Sequence, residues 1–84
     1  MNTIRLEIYT PDGVLFNGEI TSVTLPGTKA PFTVLNNHAP IISSLTEGEI
    51  KYVVNKKVSK IEVKSGFAEV KNNIVTVCLE TIIK

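Results

Sequence analysis

Little in this chain could carry out chemistry unaided. Its 84 residues include one cysteine, Cys78, and one histidine, His38. A single thiol excludes an internal disulfide framework, and one thiol with one imidazole is too small a set of soft ligands for zinc or an iron–sulfur cluster. A reducing compartment fits such a chain best. A serine or cysteine nucleophile needs a neighbouring base, and His38 is the only imidazole available for that role. It sits between Asn37 and the pair Ala39–Pro40 in a loop, where an interface or structural role outweighs a catalytic one. We therefore assign no catalytic, metal-binding or cofactor-binding residue.

Charge of one sign is also lacking. Nine basic residues stand against eight acidic ones, a formal net charge of +1, so no strong field would hold the chain on a nucleic acid or an anionic membrane. The cluster Lys56, Lys57 and Lys60 reads as a solvated hairpin tip. No run approaches the roughly eighteen apolar residues of a membrane span, and Met1–Arg5 lacks the apolar stretch of a signal peptide. Direct membrane insertion is not expected, and any membrane association would run through another protein. The glycines Gly13, Gly18, Gly27, Gly48 and Gly66 fall at breaks between apolar runs, with no strand–glycine loop–helix sequence to cradle phosphate. ATP binding by this chain alone is therefore not expected. The glutamates are scattered and read as solvated faces. Cys78, between Val77 and Leu79, reads most simply as a small core hydrophobe, although the strand could turn it outward as easily as inward.

What the sequence does contain is alternation. Ile4, Leu6 and Ile8 interleave with Arg5, Glu7 and Tyr9, the two-residue period of a strand buried on one face. Pro11–Gly13 supplies a turn before Val14–Phe16, and Asn17–Gly18 reads as a second turn. In the stretch Glu19–Leu25 the alternation slips between Ile20 and Val23. This implies a bulge near Thr21 and Ser22 or a strand that changes its packing partner there. Short strands follow at Phe32–Leu35 and Pro40–Leu45. Ile50, Tyr52 and Val54 then alternate up to the Asn55–Lys57 tip, and Ile61 and Val63 alternate beyond it, as neighbouring antiparallel strands would. Gly66 separates that hairpin from Phe67–Val70, Asn72–Asn73 makes a tight turn, and Ile74–Leu79 is the last strand. No segment keeps a helical period. These features predict an all-β protein, a flattened β-sandwich of about eight to ten short strands without substantial helix. The length predicts one domain over residues 1–84.

Three groups of residues in order carry a family resemblance. The first is Ile8–Asp12 with Phe16, Gly18 and Val23. The second is Leu25–Pro26–Gly27, then Asn37–His38–Ala39–Pro40 with Leu45 and Gly48. The third is Ser65–Val70 with Asn73, Val75, Thr76 and Val77. Together they resemble the epsilon subunit of bacterial F-type ATP synthases across nearly the whole chain. The resemblance implies a non-catalytic subunit at the foot of the central stalk, on the cytoplasmic face of the bacterial inner membrane. There it would grip the gamma subunit, rest on the membrane rotor ring, and help couple proton flow to ATP synthesis. It places Thr10, His38 and Ser43 on the side facing gamma. Ala39 and Pro40 extend that surface as a turn with little entropy to lose on docking. It turns the loop Thr28, Lys29, Ala30, Pro31 and Phe32 toward the ring, where Phe32 is either an apolar contact or a core phenylalanine beneath the loop.

Two departures qualify this. The family usually continues into a two-helix hairpin that binds ATP and restrains hydrolysis, whereas this sequence stops at Lys84, so that regulation is expected to be absent. The family also commonly carries a glutamate–glycine–glutamate stretch where this chain reads Lys29, Ala30 and Pro31, which reverses the local charge. The alternative reading is a free-standing β-sandwich module that binds a peptide or sugar.

Overall fold

The structure is a computed structural model and describes residues 3–82. Eight strands follow in chain order: β1 (Ile4–Thr10), β2 (Gly13–Ile20), β3 (Ser22–Leu25), β4 (Phe32–Val34), β5 (Ile41–Leu45), β6 (Gly48–Val54), β7 (Lys57–Lys71) and β8 (Ile74–Ile82). No helix occurs among the described residues. The strands pair in the order β2-β1-β8-β7-β6-β3-β4, with β5 added alongside β7.

One strand serves both layers of the sandwich. The first half of β7 pairs with β6 from Lys57↔Val54 to Val63↔Gly48. Its second half pairs with β8 and, on its other side, with β5. Between them the register shifts twice, at Val63/Ser65 and Ser65/Gly66, a local irregularity of the kind that bends a strand. Gly66 therefore does not end a hairpin, as its place in the sequence implies, but lies inside a fifteen-residue strand. Glycine is required there by close packing, because a Cβ would collide with the carbonyl oxygen of Cys78.

The strand-like alternation of β1 is borne out: Ile4, Leu6 and Ile8 are buried. They pack with Ile20, Val23, Leu25, Val34, Leu45, Ile50, Val63, Ala68, Val70, Val75, Val77 and Leu79 into one cluster. Burial of each such aliphatic side chain is worth about 1.5–3 kcal/mol against exposure. The cluster admits no buried polar or charged side chain among the described residues.

The slip between Ile20 and Val23 resolves as a change of partner. Ile20 ends the ladder with β1 opposite Ile4, and Ser22 opens a new one opposite Val53. Thr21 ties the corner with its backbone N–H and its hydroxyl, both donated to the Val53 carbonyl at 2.9 and 3.1 Å.

Asn17–Gly18 is not a turn. Both residues lie within β2, opposite Glu7 and Leu6, and Asn17 Oδ1 accepts a 2.6 Å hydrogen bond from Arg5. The long apolar template of β1 keeps the ladder running to Ile20, overriding the local turn preference. The bulge lies earlier, where Ile8 faces Phe16 and Tyr9 faces Val14, leaving Leu15 as the extra residue. For Cys78 the outward of the two orientations holds. Val77 and Leu79 point into the core, so the intervening thiol lies on the other face and is half-buried.

Candidate functional site

The expected interface residues sort into two anchored loops at opposite ends of β5, with Thr10 apart from both. The loop carrying His38, Ala39 and Pro40 is held from a distance. Asn72 and Asn73 form the β7–β8 turn with φ of 52° and 61°, the pair of positive values that a tight hairpin turn of matching twist requires. In that pose Asn73 Oδ1 accepts a 2.7 Å bond from the Asn37 N–H, and its carbonyl accepts one from the Arg5 N–H at 2.9 Å. Asn37 is itself left-handed, with φ of 65°, and the His38 N–H donates to the Leu35 carbonyl at 3.2 Å. His38 Nδ1 lies 2.7 Å from the Ala39 carbonyl. A carbonyl only accepts, so Nδ1 carries the proton and Nε2 is left as the acceptor of the neutral ring. His38 is half-buried, whereas Ala39 and Pro40 are exposed.

The second loop leans on the other end of β5. Gly27 bridges to Leu45 in antiparallel fashion, with Thr28 N–H donating to the Ser44 carbonyl at 3.0 Å and Thr46 N–H to the Pro26 carbonyl at 2.9 Å. The hydroxyls of Thr28 and Ser44 are 2.7 Å apart. Past Thr28 the chain swings away, and a groove of about 430 Å³ opens between Thr28–Phe32 and Ile41–Ser44. Lys29 is exposed and, among the described residues, is the only ionisable one lining it. Phe32 is half-buried, packs against the core cluster and lies beside Gly27. It thus forms the floor beneath the loop while keeping part of its ring accessible.

Ser43, which the resemblance groups with His38 on the side facing gamma, lines this groove with the Thr28–Phe32 loop. Thr10 is brought to neither loop. It caps the β1–β2 turn, accepting from the Asp12 N–H at 3.1 Å and donating to the Gly13 carbonyl at 3.0 Å. Arg5 sits at the Asn73 end of the sheet, and Thr10 lies five residues further along β1, or about 17 Å at strand rise.

The outer face of the five-stranded layer connects these places, and the sequence reading missed it. Ser44, Phe67, Cys78, Tyr9 and Val14 form one cross-strand row. In the adjacent row are Ile42, Glu69, Thr76, Glu7 and Asn17. Ile42 is 76% and Phe67 50% exposed. The signal was present in the adjacency of Ile41 and Ile42, since a two-residue period cannot bury both. On the same face Glu7 accepts a 2.9 Å hydrogen bond from the Tyr9 hydroxyl and pairs with Arg5 at 3.3 Å. The hydrogen bond to Glu7 holds the Tyr9 phenol above its ordinary pKa of 10.0, with some desolvation and the negative charge of Glu7 adding to it.

Comparison with known proteins gives one answer. Residues 3–84 match the family described as the ATP synthase delta/epsilon chain, beta-sandwich domain. An ATP synthase epsilon chain of Desulfitobacterium hafniense is 43% identical over 79 residues, covering 94% of this chain and 60% of that protein. One from Endomicrobium trichonymphae is 40% identical over 80 residues, covering 95% and 58%. The chain thus spans about three-fifths of the length of these relatives. The fold recurs in the Euglena gracilis mitochondrial ATP synthase, in a structure of its OSCP, F1 and c-ring, with TM-score 0.89 at 18% identity over 96% of this chain and 52% of that one. It recurs again in the central stalk and c-ring of the Tetrahymena thermophila enzyme, with TM-score 0.78 at 14% identity over 95% and 65%.

Proposed function

The chain belongs to the delta/epsilon β-sandwich family of ATP synthases, and on that premise we propose that it is a non-catalytic docking subunit of the central stalk. In this reading it links the gamma subunit to the membrane rotor ring in a complex on the cytoplasmic face of the membrane. The observation that carries the reading is the exposed apolar pair Ile42 and Phe67 on the outer sheet face. Large side chains left out of the core, with anchored loops at both ends of β5, suit a protein interface.

Gamma would engage the half-buried His38 with Ala39 and Pro40, and the outer face that carries Ile42 and Phe67. The ring would meet Thr28–Phe32. Lys29 would give that contact a positive charge, so its counterpart would be acidic or polar. Anchoring supports both assignments, since loops fixed beforehand lose less entropy on docking.

Copurification tests the reading. Tagged chain should bring down gamma and the catalytic subunits from membranes of its own organism. Recovery of the chain alone, with selective retention on a peptide or sugar matrix, would overturn the reading in favour of a free-standing binding module.

A further inference from the structure

The groove between β5 and the Thr28–Phe32 loop is bounded by an open sheet edge. The tight Asn72–Asn73 turn makes Lys71 and Ile74 a hydrogen-bonded pair. Alternation then directs the peptide groups of residues 67 and 69 to β8 and those of 66, 68 and 70 to β5. Across β5, it follows that Ile41, Ser43 and Leu45 bond to β7, while Ile42 and Ser44 present theirs to the groove. The 3.0 Å bond from Thr28 N–H to the Ser44 carbonyl confirms this parity from the opposite side. Gly27 and Thr28 begin an antiparallel ladder on β5 and abandon it after one residue pair. The Ser44 N–H and both peptide groups of Ile42 are left facing open space, and β5 pairs with no other described strand.

We propose that an extended segment of a partner protein carrying a carboxylate completes this ladder, adding as an antiparallel strand opposite Ile41–Ser43. Open edge groups are a template for strand addition, in which the main chain supplies affinity and alternate side chains supply specificity. One set of the incoming side chains would rest on Ile41 and Phe32. Charge complementarity chooses the class of segment: Lys29 is the groove's only ionisable residue and makes no ion pair among the described residues. The proposal rests on reading this end of the protein as a docking surface, and it adds the mode of binding and the partner's charge.

The test titrates the ¹⁵N-labelled 84-residue chain with acetyl-Thr-Val-Glu-Val-Thr-amide, and with the same peptide bearing lysine for glutamate. The glutamate peptide should bind several-fold more tightly, slow exchange of the Ile42 amide about tenfold, and leave the Ser43 amide unchanged. Lys29→Glu should reverse the preference between the peptides. Ile42→Pro removes an N–H that no ladder bond uses, so it should abolish binding with the remaining spectrum preserved. N-methylation of the peptide amides that face β5 should do the same without altering the protein. Saturable binding that leaves Ile42 unprotected overturns the proposal, as does no binding at about 1 mM peptide. In the assembled synthase, normal incorporation of Ile42→Pro together with failure of Lys29→Glu would refute strand addition while leaving the docking role intact. Failure of the unmodified chain to join the complex would refute the docking role whatever the peptide does.

Discussion

Phe32 lies so close to Gly27 that a Cβ placed on the glycine would stand 2.9 Å from the ring carbon Cδ1 and 2.6 Å from the Ala30 carbonyl oxygen. The constraint is one of space and explains why the loop can turn tightly over an aromatic floor. Gly27→Ala should therefore destabilise the chain by about 1–3 kcal/mol, the usual range for overpacking, measured as a lowered urea midpoint at unchanged slope. Combining it with Phe32→Ala should reduce the cost of the alanine without abolishing it, because the backbone clash with Ala30 persists. Strict additivity in that double-mutant cycle would show that the ring and the glycine do not interact.

Asn73 does two jobs that substitution can separate. Asn73→Gly retains the left-handed backbone but loses the 2.7 Å bond to the Asn37 N–H, whereas Asn73→Ala loses the bond and strains the turn as well. Alanine should cost about 1–2 kcal/mol more than asparagine, and glycine less than that. In both variants amide exchange at Asn37 and His38 should accelerate, and equal protection to the parent would show that the loop is held by other means.

Lys29→Glu and His38→Asp probe the two proposed contacts. Lys29 is exposed, so its substitution should change folding stability by no more than about 0.5 kcal/mol. In a reconstituted complex, Lys29→Glu should weaken coupling of proton flow to ATP synthesis through charge reversal. His38→Asp should weaken gamma association by burying an unpaired charge. Full coupling in both variants, or outright unfolding of both, would remove these residues from the proposed interfaces.

Tyr9 gives a pH dependence of known sign. Its phenol is favoured in the neutral form by the hydrogen bond to Glu7, so the native state holds this proton more tightly than the unfolded chain does. The stabilisation is complete below the ordinary phenol pKa of 10.0 and is lost as pH rises through the higher native value. In a Tyr52→Phe background, ultraviolet titration should show Tyr9 ionising above pH 10, with Glu7→Gln moving the transition back toward the ordinary value. A transition unmoved by Glu7→Gln would mean that the carboxylate does not set it.

The sequence by itself determined strand parity and two of the hairpin turns, properties that depend on residues a few positions apart. The parity of Ile4, Leu6 and Ile8, and of Val75, Val77 and Leu79, dictated which face of each strand is buried. Asn55 and Lys56, like Asn72 and Asn73, took the positive φ values that close two-residue hairpins. The order of short motifs was enough to reveal the family. Tertiary structure decided which segments meet. β1 and β8 lie side by side in parallel, with Arg5 opposite Ile74, and a parallel neighbour is specified by no turn. Asn17–Gly18 stayed extended because β1 offered a longer ladder than a turn could, and Gly66 stayed within β7 because it had to pass the Cys78 carbonyl. The two loops likewise owe their positions to distant partners, Asn37 to Asn73 and Thr28 to Ser44. Periodicity and backbone preference act over a few residues and are written in the local sequence. Strand partnership and loop position are settled by competition among remote segments for burial and hydrogen bonds, which exists only once the chain has folded.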